Sequence, residues 1–102
     1  MNDGLKDRHR KAITAILTAN PRVERAVLFG SRAMGTFTPT SDVDIALFGD
    51  RLTLDDQAQL AEAIGDLSMP QRIDLLLHRR ITNEKLLAHI EQYGVEWPLS
   101  AG

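Results

Sequence analysis

A carboxylate set inside an apolar run constrains this chain more than any other feature. Ile73-Asp74-Leu75-Leu76-Leu77 has the composition of a buried strand, yet its second residue carries a charge. Aspartate is disfavoured in strands. A buried carboxylate with no partner is also expensive. The run folds well only if Asp74 meets water at an open edge or meets a group that wants a negative charge. A second strand carries the same anomaly. Val43 to Phe48 alternates, with Val43, Ile45 and Leu47 on one face and Asp42, Asp44, Ala46 and Phe48 on the other. Asp42 and Asp44 therefore point the same way, roughly 6.6 Å apart along the strand. Two carboxylates so spaced reach ions about 3.5–4 Å apart, the separation of two-metal sites. Oxygen ligands of this kind select magnesium or manganese. An Asp-x-Asp pair by itself more often caps a turn or faces water. If the Asp74 strand lies beside the Asp42–Asp44 strand, all three carboxylates face one place.

The remaining elements follow from periodicity and breakers. Leu5, His9, Ala12, Ile13, Ile16 and Leu17 share a helical face, predicting a helix from Leu5 to Ala19 that Asn20-Pro21 ends. Val23 to Phe29 reads as a strand closed by Gly30-Ser31, and Ser31 to Gly35 as a helical turn. Thr36 to Ser41 is a polar loop containing Pro39. Thr53 with Asp56 has capping-box spacing and opens a helix to about Leu67, predicted to bury Leu54, Ala58, Ala61, Ile64 and Leu67. A last helix from near Thr82 carries Leu86, Leu87, Ile90 and Tyr93, with Gly94 as its C-cap and a loose tail from Pro98. Helix, strand, short helix, strand, helix, strand, helix predicts a small α/β (α+β) domain over residues 1–102, with helices on a mixed sheet of three to four strands.

Composition removes several classes. Twelve Lys and Arg against fourteen Asp and Glu give a net charge of -2, without the basic surplus of a long nucleic-acid track. The absence of cysteine excludes disulfides and thiolate metal sites. No apolar run approaches the roughly 20 residues needed to span a bilayer, and the N-terminal residues lack the apolar core of a signal peptide. A cytoplasmic location is the expectation.

Gly30-Ser31 gives the carboxylates a possible task. Glycine lets backbone approach a ligand closely, and amides opening a helical turn attract phosphate. Most Gly-Ser turns are only turns. This one follows an apolar strand and stands twelve residues before Asp42. A triphosphate held there would lie against metals held by the aspartates. Arg32 adds a nearby positive charge, with exposure to solvent as its plainer reading.

Gly30-Ser31, ten intervening residues and Asp42-Val43-Asp44 resemble the signature of the DNA polymerase β-like nucleotidyltransferase superfamily. Gly30-Ser31-Arg32-Ala33-Met34-Gly35 and Ser41-Asp42-Val43-Asp44-Ile45 are similar to its minimal nucleotidyltransferase branch, the small proteins paired with HEPN partners in prokaryotic toxin–antitoxin systems. The resemblance spans nearly the whole chain and implies a polymerase β-like palm. It implies that Gly30 and Ser31 hold the triphosphate of ATP, and the place of Arg32 directly after Ser31 adds it to the expected phosphate contacts. Asp42 and Asp44 would hold two Mg2+ ions, and Asp74 would bind one ion and help deprotonate the acceptor. It further implies AMP transfer (AMPylation) to a tyrosine hydroxyl of a cognate HEPN ribonuclease toxin, with the chain as antitoxin. Many relatives have Arg where this chain has Met34, a departure that touches no metal ligand.

Two other functions stay open at this point. One is nucleotide transfer to a small molecule such as an aminoglycoside, although such relatives usually carry an added helical domain. The other is an antitoxin that acts by contact alone. Ser41 reads equally as a turn residue or as support for the Asp pair. His9, His78 and His89 lack metal-ligand spacing and read as surface or packing residues. Arg79 and Arg80 read as a solvated pair, and Tyr93 and Trp97 as a cover for the core or part of a partner interface.

Overall fold

The computed structural model describes residues 3–99. Among them, four α-helices and four strands follow in the order α1 (Asp7–Thr18), β1 (Arg25–Phe29), α2 (Ser31–Met34), β2 (Val43–Phe48), α3 (Leu54–Gly65), β3 (Ile73–Leu77), α4 (Glu84–Tyr93) and β4 (Val95–Trp97). A 3-10 turn, His78–Arg80, links β3 to the segment before α4. The strands lie in the order β3-β2-β1-β4. β1 runs antiparallel to both β2 and β4, whereas β2 and β3 are parallel. A parallel pair needs a long crossover rather than a tight turn, and α3 supplies it.

One face of the sheet carries the main core. Val43, Ile45 and Leu47 of β2, Ala26 and Leu28 of β1, Leu75 and Leu77 of β3 and Trp97 of β4 pack with Ile13 and Leu17 of α1 and Leu60 and Ile64 of α3. The opposite face buries Val27, Phe29 and Ala46 beneath Ile90 of α4. The alternation along β2 therefore divides as expected, and it leaves Asp44 on the thinner side, with α4 as its neighbour.

Three expectations need correction. In α3, Leu54 is 55% exposed and Ala58 and Ala61 face solvent, while Asp56, Leu60 and Ile64 are buried. The cause lies at the helix start. Asp56 closes a capping box with Thr53 and also accepts from Asn20 Nδ2 at 3.3 Å and Arg22 at 3.2 Å. This network turns Asp56 inward, and its four-residue stripe through Leu60 and Ile64 then meets the sheet. Next, Val95–Trp97, given no element by the sequence, pairs with Leu28–Ala26 as an edge strand, and Leu99 of the tail expected to be loose packs against the core. Residues 100–102 of the expected tail lie outside the described residues. Leu5 precedes α1 rather than opening it, yet it is buried in the core.

Candidate active site

β2 begins one residue after Asp42. Its second residue, Asp44, pairs with Phe29 of β1 on one side and with Asp74 of β3 on the other. The sheet thus sets Asp44 and Asp74 side by side on neighbouring strands. Gly30 follows Phe29 directly, so the glycine turn arrives beside the same carboxylate. The backbone of Gly30 has φ 77° and ψ -156°, a region that is essentially glycine's alone. A Cβ at Gly30 would stand 2.5 Å from Asp44 Oδ2. Both the backbone conformation and the packing therefore demand glycine here. Ser31 opens α2, and Gly35 closes it in the left-handed conformation at φ 81°.

The electrostatics mark Asp44 as the strained member. Burial raises its pKa above the ordinary carboxylate value, and the negative charges of Asp74 and Asp42 raise it further. Asp42 is exposed, and the Asp74 side chain is 42% exposed with Arg72 Nε at 3.6 Å from its Oδ1. That ion pair is open to water and contributes little.

The donor set fits a hard dication on two observations. Its oxygens are all carboxylate, and Asp44 lies half-buried among like charges that a cation would relieve. Among the described residues no three acidic or imidazole side chains stand close enough together to hold a metal ion by themselves. Magnesium rarely uses such a cage. It takes one or two carboxylates and completes its shell with waters and substrate phosphate.

Arg32 is placed differently from the expectation of a phosphate contact. Its residue is 1% exposed. Its guanidinium donates to Ser41 O at 2.9 Å, Asp3 O at 2.8 Å and Thr38 O at 3.4 Å, and it lies 5.0 Å from the Phe37 ring centre. Five donors in a planar fork suit several carbonyls at once. Arg32 thus fastens the loop that delivers Asp42 to β2. Ser41 is a turn residue: its hydroxyl accepts the Thr38 amide at 2.9 Å. Arg79 and Arg80 are exposed, as a solvated pair would be, and Arg79 also donates to Leu52 O.

His89 is the neighbour that sequence reasoning missed. Its Nε2 accepts the Gly30 amide at 2.9 Å, across 59 residues of chain. Nothing local in Ala88-His89-Ile90 signals this contact. Its place on the helix after the Asp74 strand is the one available clue. Trp97 is buried in the core, and Tyr93 is 42% exposed with its ring 5.4 Å from that of His89.

The family model described as "Polymerase beta, Nucleotidyltransferase" matches residues 11–96, a stretch that holds the glycine turn and all three aspartates. The chain belongs to the polymerase β nucleotidyltransferase family. No curated protein matches this nucleotidyltransferase significantly. Among solved structures it is similar to a toxin–antitoxin crystal structure with AMP-PNP, at TM-score 0.73 and 24% identity, covering 90% of this chain and 74% of that one. It is also similar to the tri-AMPylated Shewanella oneidensis HEPN toxin in complex with MNT antitoxin, at TM-score 0.69 and 19% identity over 94% and 74% of the two chains. A toxin–antitoxin MntA-HepT structure matches at TM-score 0.68 and 21% identity, over 93% and 74%. At these identities the likeness establishes the fold of the nucleotidyltransferase: helices on a mixed four-stranded sheet. Among its described residues no helix is long and apolar enough to cross a membrane.

Proposed function

We propose that this chain is a magnesium-dependent nucleotidyltransferase that moves AMP from ATP to a tyrosine hydroxyl of a HEPN-family ribonuclease, and thereby acts as its antitoxin. The observation that carries the chemistry is the register that puts Asp44 beside Asp74 while Gly30 closes on Asp44 from the other side. The partner comes from the structural neighbours: one of those toxin–antitoxin structures carries an ATP analogue, and another contains a tri-AMPylated toxin.

Asp42, Asp44 and Asp74 would hold the metal. Bound magnesium would offset the charge of the triphosphate and of the reacting oxygen. The glycine turn at Gly30 and Ser31 would hold the phosphates, with its backbone free of any Cβ that would push Asp44 away. The acceptor oxygen forms a bond to the α-phosphorus as the bond to pyrophosphate breaks, and Asp74 takes the acceptor's proton. Positioning supplies much of the rate, as elsewhere in phosphoryl chemistry.

Calorimetry with ATP and Mg2+ tests this function. The wild type should bind in a magnesium-dependent manner, and Asp42→Ala and Asp44→Ala should not. Asp74→Asn should abolish transfer while leaving the fold intact. Absence of binding by the wild type at millimolar nucleotide and metal would refute an active enzyme.

A further inference from the structure

Gly30 is where two demands on the site meet. Its φ and ψ belong to a glycine-only region, and Asp44 Oδ2 occupies the space where a side chain would begin. Backbone held in such a region is strained and persists only where its surroundings fix it. Within its own turn, the Gly30 carbonyl accepts the amides of Ala33 and Met34, each at 3.1 Å. The Gly30 amide goes elsewhere, across to α4, where His89 Nε2 accepts it at 2.9 Å. The imidazole is itself held on two sides. Phe29, the residue before Gly30, stands edge-on to it with centroids 6.2 Å apart, and Tyr93 lies one helical turn further along α4. A nitrogen that accepts a hydrogen bond carries no proton, so the bond also sets the tautomer of a neutral ring.

We propose that His89 is a positioning residue of the active site: by accepting the Gly30 amide it fixes the glycine turn against Asp44, so that the phosphate-holding and metal-holding groups keep one relative geometry. The role of the turn toward nucleotide rests on the function proposed above. The hold of His89 on Gly30 does not.

Two substitutions separate an acceptor from mere bulk. His89→Gln offers an amide oxygen about as far from the helix as Nε2, whereas His89→Leu fills similar volume and accepts nothing. Gly30 amide exchange by NMR and the Kd for ATP with Mg2+ are read for wild type and both variants. We expect Leu to speed Gly30 exchange and weaken nucleotide binding by about five- to tenfold, the worth of one hydrogen bond. Gln should keep both near wild type. Equal exchange and equal Kd in wild type and Leu overturn the proposal, as does a Gln variant as defective as Leu. If the wild type binds no nucleotide, the nucleotidyltransfer function fails, and Gly30 exchange alone still decides whether His89 holds the turn. His89→Ala replaces Leu if the latter does not fold.

Discussion

Asp44 and Asp74 stand directly beside each other on the parallel pair β2–β3. Two carboxylates on adjacent strands repel, and burial of Asp44 compounds the penalty. Folding tolerates the arrangement at some loss of stability, as metal-binding and catalytic sites commonly do.

That strain has a sign. The pKa of Asp44 is raised in the folded protein, so its ionised form is disfavoured there relative to the unfolded chain. Its contribution is therefore least harmful at low pH and becomes destabilising as pH rises through the shifted value. At neutral pH without metal, Asp44→Asn should melt at a higher temperature than the wild type. Adding Mg2+ should raise the wild-type midpoint and leave the variant unmoved. Thermal denaturation with and without metal checks both.

Gly30→Ala should harm the site more than the fold. The glycine-only backbone region makes the substitution cost about 1–3 kcal/mol. A new Cβ 2.5 Å from Asp44 Oδ2 must also displace that carboxylate. Urea denaturation should show the modest loss, and magnesium-dependent ATP binding should vanish.

Arg32→Lys separates a structural guanidinium from a phosphate contact. Lysine cannot serve the carbonyls of Asp3, Thr38 and Ser41 together. Leaving the buried Asp3 carbonyl unpaired costs roughly 1–3 kcal/mol, so the variant should be destabilised even without nucleotide. A residue whose sole task was phosphate binding would show no such loss in the same urea titration.

Asp56 should govern part of the acid limb of stability. Its pKa is pulled down to about 2, first by the Thr53 backbone amide, with Asn20, the Thr53 hydroxyl and Arg22 adding to it. A depressed carboxylate stabilises the fold above its ordinary value near 3.8 and loses that contribution as pH falls toward about 2. Asp56→Asn should be less stable at neutral pH, with the gap to wild type closing below about pH 4. Metal-dependent ATP binding should persist in this variant wherever it stays folded.

The strands that carry the aspartates were legible because alternation and a charge within an apolar run are local signals. Asp74 beside Asp44 was conditional in the sequence, since neighbouring strands are chosen by the α3 crossover rather than by residues 73–77. β4 escaped notice because three residues between Gly94 and Pro98 give no period to read. The buried face of α3 was misjudged because Asp56, a polar residue, sits inside and sets the rotation of Leu60 and Ile64. Arg32 and His89 share one reason for their concealment. Each acts on backbone groups, which no side-chain pattern announces, and His89 does so from 59 residues away.

Transfer of AMP, as distinct from binding, is tested most directly by the intact mass of a HEPN partner co-expressed with this chain. Wild type should increase the partner's mass in steps of one AMP, and Asp44→Asn should leave it unchanged. A partner that is restrained by the wild-type chain yet carries no added mass would contradict nucleotidyl transfer and leave neutralisation by contact.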